Sequence, residues 1–349
     1  GNNVASGGMT VTGSALDYHG SRNQVVNLSL NTLGNIDLIQ SQNKVSQQAS
    51  FTANALNHNA AITQADSYQL KVQSLSNQRG TLEQTGTQDF VLTTGTIDNQ
   101  QGHLGGNATN LSLMATGDIQ NQGGEVIHAG TGTATLIAQN LDNSQTGKLL
   151  SNGKLTATVS GTLNNDIGGI QADQLSVTAG SLNNNQGQVI ASTGDLTVNA
   201  GILANSGEKA VLQSAQALYV NARTLNNDTK AQLLANTTAD IHADTLNNTN
   251  AGLIYSNQAL NIGGDTLNNN ATISSQDAIT ASSQKLTNQA SGNIQAGKDI
   301  NLTQQTLTNQ GVISTQTNIN SSTQGVMDNH AGQVIGNNVT IAAQSLNNQ

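Results

Sequence analysis

Along this chain an aliphatic residue is followed two places on by Asn, and the pair returns at a nearly constant interval. It occurs at Leu75/Asn77, Ile97/Asn99, Ile119/Asn121, Leu141/Asn143, Leu163/Asn165, Leu182/Asn184, Leu203/Asn205 and Leu225/Asn227. It continues at Leu246/Asn248, Leu267/Asn269, Leu286/Asn288, Leu307/Asn309, Met327/Asn329 and Leu346/Asn348. Neighbouring anchors are 19–22 residues apart, and self-similarity at a period near twenty is the signature of a solenoid. Upstream the rule loosens: Leu56 is followed by His58 and Leu16 by Tyr18. The 40 residues between Leu16 and Leu56 hold two periods, with the degraded anchor expected at Leu33/Asn35. The count is then about seventeen coils.

Between anchors the apolar residues recur at a spacing of two. Leu155, Ala157 and Val159 do so in KLTATVSG, Leu175 and Val177 in QLSVTAG, and Ile300 and Leu302 in DINLTQ. Short runs of this kind bounded by Gly, Asn or Ser are strand signals, so each coil should hold two or three short strands with a turn at Asn-x-x-Gly. One coil cannot bury its few aliphatics alone, and stacked neighbours make a continuous core. The expected fold is all-β, a parallel β-helix, right-handed by the crossover preference of parallel strands. At about 4.8 Å per coil it would form a rod of roughly 80 Å. We read residues 1–349 as a single repeat domain, less regular over 1–74 and regular over 75–349.

Composition supports stacking. Charged residues make up 9% of the chain, and there is no Pro and no Cys among its 349 residues. Equivalent residues of neighbouring coils face one another, so a repeated Lys or Asp would meet its own copy. Neutral amides and hydroxyls avoid that conflict, and Pro cannot donate to a ladder. Asn can bond to the Asn above and below it and suits a turn, since it tolerates the left-handed conformation. The Asn column is therefore expected to be structural.

The repeat L-[ND]-N-x-x-G-x-[IVL]-x-[AS]-x-x-x-L-x-[VI]-x-A is carried by LNNNQGQVIASTGDLTVNAG (182–201), IQNQGGEVIHAGTGTATLIAQ (119–139), LDNSQTGKLLSNGKLTATVSG (141–161) and MDNHAGQVIGNNVTIAAQ (327–344). It resembles the filamentous haemagglutinin repeats of the large exoproteins exported by two-partner secretion in Gram-negative bacteria. The resemblance covers nearly the whole chain. It implies a secreted β-helical filament at the bacterial cell surface, exported through an outer-membrane partner transporter. The family includes adhesins, haemagglutinins and the stalks of contact-dependent growth inhibition proteins, so a host or neighbouring bacterial surface receptor or glycan is the implied partner. Its secretion domain and a toxin module are not visible, and the chain reads as an internal segment of a larger virulence-type protein. Absence of Cys fits passage through the periplasm unfolded, and there is neither a signal peptide nor an apolar run long enough to span a membrane.

Catalytic and ligand motifs are sparse. Asp98, Asp142 and Asp328 share the place before the anchor Asn, and Asp118, Asp195 and Asp299 precede strands; both sets read as turn residues. The six His residues, His19, His58, His103, His128, His242 and His330, have no metal-ligand spacing. No nucleophile, phosphate-loop or dinucleotide motif is present, and a net charge of −9 opposes nucleic-acid binding. No cofactor and no metal are expected. The region Tyr18–Gln84 gathers Tyr18, Arg22, Phe51, Tyr68 and Arg79, residue types enriched at binding hot spots, and these are the candidate partner contacts. The reading is a non-enzymatic extracellular filament segment of an adhesin. The alternatives are a toxin-delivery stalk and, third, a polysaccharide-active β-helix enzyme, which would need clustered carboxylates.

Overall fold

A computed structural model describes residues 1–349. It contains 37 strands and no helix, and it is a parallel β-solenoid of about 16 turns, consistent with the right-handed helix of roughly seventeen coils expected. The chain divides into two compact units, Gly1–Ala179 and Gly180–Gln349.

In the first unit a coil carries up to three strands, and each pairs in parallel with its equivalent one coil on. Arg22–Val25 pairs with Gln42–Val45, Phe90–Thr94 with Leu111–Ala115, and Thr96–Asp98 with Ile119–Gln120. The anchors stack Leu75 on Ile97, Ile119, Leu141 and Leu163. In the second unit a coil is simpler, a four-residue strand followed by a long one, as Val211–Ser214 by Leu218–Asp228 and Gln232–Ala235 by Ala239–Asn248. There the anchors stack Leu203, Leu225, Leu246, Leu267, Leu286 and Leu307 in one register. All of these anchors are buried. Each coil contributes few aliphatics, yet alternate residues point inward and the column shields every member but the last.

The degraded anchor lies elsewhere than expected. Leu33 is 98% exposed, and Ile36 stands between Leu16 and Leu56 in the column. The Asn place of that coil is taken by buried Leu38.

Next to the anchors runs a column of buried amides. In the first unit Asn77 Nδ2 donates to Asn99 Oδ1, Asn99 to Asn121, Asn121 to Asn143 and Asn143 to Asn165, each at 2.7–2.8 Å. In the second, the same donation runs from Asn184 through Asn205, Asn227, Asn248, Asn269, Asn288 and Asn309 to Asn329, and on to Asn348. Each amide also donates to backbone carbonyls: Asn99 Nδ2 reaches Gly102 O in its own turn and Glu125 O in the next coil. A buried polar group left unpaired costs about 1–3 kcal/mol, so the ladder is satisfied only when the coils stack in this register.

Where the corner column is apolar, the amides move to the neighbouring column. Tyr18 and Leu38 occupy the first two corner positions, and there Asn3 Nδ2 donates to Asn23 Oδ1, Asn23 to Asn43, and Asn43 to Thr63 Oγ1. Beyond Thr63 this second column becomes Leu82, Leu104 and Val126. His58 joins the two. Its Nε2 lies 2.7 Å from Thr63 Oγ1 and its Nδ1 2.7 Å from Asn77 Oδ1. Asn77 Oδ1 can only accept, so the Nδ1–H tautomer of neutral His58 continues the ladder. Burial depresses the His58 pKa to about 4, against the opposing effect of its hydrogen bond to Asn77.

The left-handed residue of the turn is not the Asn. Positive φ falls two places after it, on Arg79, Gln101, Gly123, Gln145, Ile167, Gln186, Gly207, Thr229 and Asn250. The Gly of Asn-x-x-Gly serves close approach instead: a Cβ on Gly102 would lie 2.1 Å from the Asn77 carbonyl oxygen of the previous coil.

Three outcomes follow from these contacts. Asn227→Ala strands the Asn205 donor and the Asn248 acceptor, and should cost about 2–4 kcal/mol in denaturant unfolding; Asn226→Ala, on the outer face, should cost about 0.5 kcal/mol. Ile167 holds a branched side chain at φ 57°, so Ile167→Gly should raise stability by up to about 1 kcal/mol; a loss would show that the turn is not strained. The unfolded chain protonates His58 below its ordinary 6.5, whereas the folded chain resists to about 4. Its contribution is therefore complete above pH 6.5 and is lost as pH falls through that window. Between neutrality and acid, His58→Asn should gain on the parent by about 3 kcal/mol, read from unfolding midpoints of both proteins.

Candidate functional site

The five candidate contacts from the irregular region do not form one surface. Phe51 is fully buried and Tyr68 is 8% exposed, which removes both as surface contacts. Phe51 stacks between Leu30 and Leu70 in the inward column. Tyr68 meets Phe90 edge to face at 5.5 Å, and its hydroxyl donates to Thr63 O at 2.6 Å; burial pushes its pKa up. These aromatics fill the interior of coils poor in aliphatic residues. Tyr18 is half-buried in the corner column, while Arg22 and Arg79 are exposed. Arg79 sits on the turn, donating to Gln101 Oε1 at 2.9 Å. Arg22 lies on a different strand column, where with Lys44, Val4 and Ile62 it lines an open groove of about 480 Å³.

The carboxylates act on the backbone of the turns. Asp98 Oδ1 accepts from the Gln100 amide, Asp142 Oδ1 from Ser144 and Asp328 Oδ1 from His330. Gln120 stands between Asp98 and Asp142 in the column. Asp118 accepts from Asn140 Nδ2, and Asp195 from the Ala217 amide. Asp299 Oδ1 accepts from Thr317 Oγ1 and twice from Asn318, and these bonds lower its pKa. Burial acts to raise Asp228, yet donors from Asn250, Thr249 and Thr229 outweigh it and leave it lowered. Glu125 is lowered chiefly by its 2.7 Å bond from Lys148, with His103 at 3.7 Å. That pair is largely exposed and contributes little to stability. Nowhere do three or more His, Cys, Asp or Glu residues gather to hold a metal ion, and no helix is long and apolar enough to cross a membrane.

His128 is buried, with Nδ1 2.8 Å from Ser151 Oγ and Nε2 accompanied by the Thr109 carbonyl at 2.9 Å. With His58 it belongs to the interior. The feature that periodicity did not reveal lies in the second unit. Tyr219, Asp240, Asn261 and Thr280 form one outward column, and Asn221, His242, Gly263 and Ser282 form the next. Together they border a groove of about 510 Å³. Only aligning coils residue by residue on the anchors brings Tyr219 and His242 into adjacent columns, since they lie 23 positions apart in the chain.

Both grooves lie on the exterior, and the interior is spent on packing and on the ladder. Compared with known families, the chain matches the haemagglutinin repeat at residues 41–123, 129–200, 199–290 and 257–349. No curated protein and no solved structure matches it. With these matches running over most of its length, and with the stacked coils that they require, the chain belongs to the haemagglutinin repeat family.

Proposed function

We propose that this chain is a filament segment of a secreted bacterial adhesin, displaying its outer strand faces for attachment to a cell surface. The observation that carries this reading is the succession of haemagglutinin repeat matches between residues 41 and 349. That family is a structural and adhesive one. The division of labour within each coil supports it as well: inward residues hold the stack, and the carboxylates that a hydrolase would need serve as turn caps. Export through an outer-membrane two-partner transporter and display outside a Gram-negative cell come with the family. In this reading residues 1–349 act as one repeat domain within a longer exoprotein, and the irregular coils of 1–74 differ in their interior filling.

The test is binding of the labelled, purified chain to intact epithelial cells and to bacterial cells, with a β-helix of equal length as control. Saturable binding to epithelial cells is the expected result. Binding confined to bacteria would move the assignment to a growth-inhibition stalk, and binding to neither would contradict attachment through this segment.

A further inference from the structure

The groove beside Tyr219 differs from the rest of the outer surface of its unit. Elsewhere outward side chains bond to their own equivalents one coil on: Asn247 Nδ2 donates to Asn226 Oδ1, Asn268 to Asn247 and Asn320 to Asn301. In the groove this self-pairing is kept between Asp240 and Asn261 but broken at Tyr219 and His242. Tyr219 is 40% exposed, and neither its hydroxyl nor the exposed His242 ring makes a hydrogen bond within the protein. The floor is open because Gly263 has no side chain. A Cβ there would lie 3.0 Å from His242 Nδ1, so the imidazole leans over the glycine of the next coil and forms one wall. Facing it, Asn261 Nδ2 donates to Asp240 Oδ1 at 2.6 Å, which leaves the other Asp240 oxygen, the Asn261 carbonyl and the Asn221 amide turned to the same face.

We infer that this groove binds a neutral sugar residue, stacked on the Tyr219 ring and hydrogen-bonded through its hydroxyls to Asp240, Asn261 and Asn221. This deepens the attachment reading and rests on it for its biological setting. The chemistry selects among ligand classes. Its volume falls within the range of about 300–1,000 Å³ typical of small-ligand sites. An aromatic face accepts the C–H side of a pyranose, while a carboxylate and amides on one strand face match vicinal hydroxyls that both donate and accept. No Lys or Arg lines the groove, and Asp240 does, so a sialylated or sulfated sugar would be repelled. An extended peptide needs a free strand edge, and the strands here are paired on both sides.

The test uses the whole chain with galactose, glucose, mannose, N-acetylglucosamine and sialic acid as separate probes in saturation-transfer NMR, followed by titration. At least one neutral sugar should receive saturation, strongest on its ring-face protons. Affinity should fall about tenfold or more in Tyr219→Ala and in Gly263→Gln, which fills the floor. Both positions are on the outside, so thermal midpoints should stay at the parent value. Absence of transfer from every neutral sugar would overturn the inference, as would transfer unchanged in both variants or transfer from sialic acid alone. The two readings fail separately. Cell binding without sugar transfer sinks the groove assignment and spares attachment. Sugar binding lost in both variants, without cell binding by the parent, sustains the groove and sinks attachment.

Discussion

A buried amide that must find partners above and below is the constraint on which this structure depends. Hydrophobic stacking alone would tolerate slippage, because Leu, Ile and Met exchange freely along the anchor column. The Asn ladder does not. Each Nδ2 serves the next Oδ1 and a carbonyl of the next coil, so a shift by one residue leaves several polar groups dry at once. The ladder thus supplies register, and the aliphatics supply most of the burial. Low charge and absent Pro then follow from the same geometry: every side chain meets its equivalent about 4.8 Å away.

Much of this is legible in the sequence because stacking writes the same residue at the same interval. The anchors and the Asn places from Leu75 onward are read directly from that repetition. What escapes is whatever stacking permits to vary. Ile36 takes the anchor place with Leu38 after it, so a search for Asn settles on exposed Leu33. The amide chain moves to Asn23 and Asn43 because either of two adjacent inward columns can carry it, and His58 can join them since an imidazole presents a donor on one side and an acceptor on the other. The left-handed residue falls two places beyond the Asn, on Gln, Arg, Thr or Ile as well as on Gly and Asn, because the path of the corner fixes φ whatever residue stands there. Phe51 and Tyr68 look like surface contacts by residue type and are core by column, and Tyr219 shows its neighbours only after the coils are aligned.

The functional consequence is a separation of faces. Inward positions answer to the ladder and the core, so changes there propagate along the stack. Outward positions on paired strands are released from that duty and can differ from coil to coil, as Arg22, Lys44, Tyr219 and His242 do. The repeat family supplies a scaffold of this kind, in which the inward positions hold the stack and the outward ones are left to vary.

The measurement closest to the central claim is hydrogen exchange of the Asn side-chain amides, followed by NMR on selectively labelled chain. If the ladder is continuous and dry, the Nδ2 protons of Asn99, Asn121, Asn205 and Asn227 exchange orders of magnitude more slowly than those of exposed Asn27 and Asn152. Equal exchange in the two sets would contradict the account, because it would mean that water reaches the column and that register is held by something else.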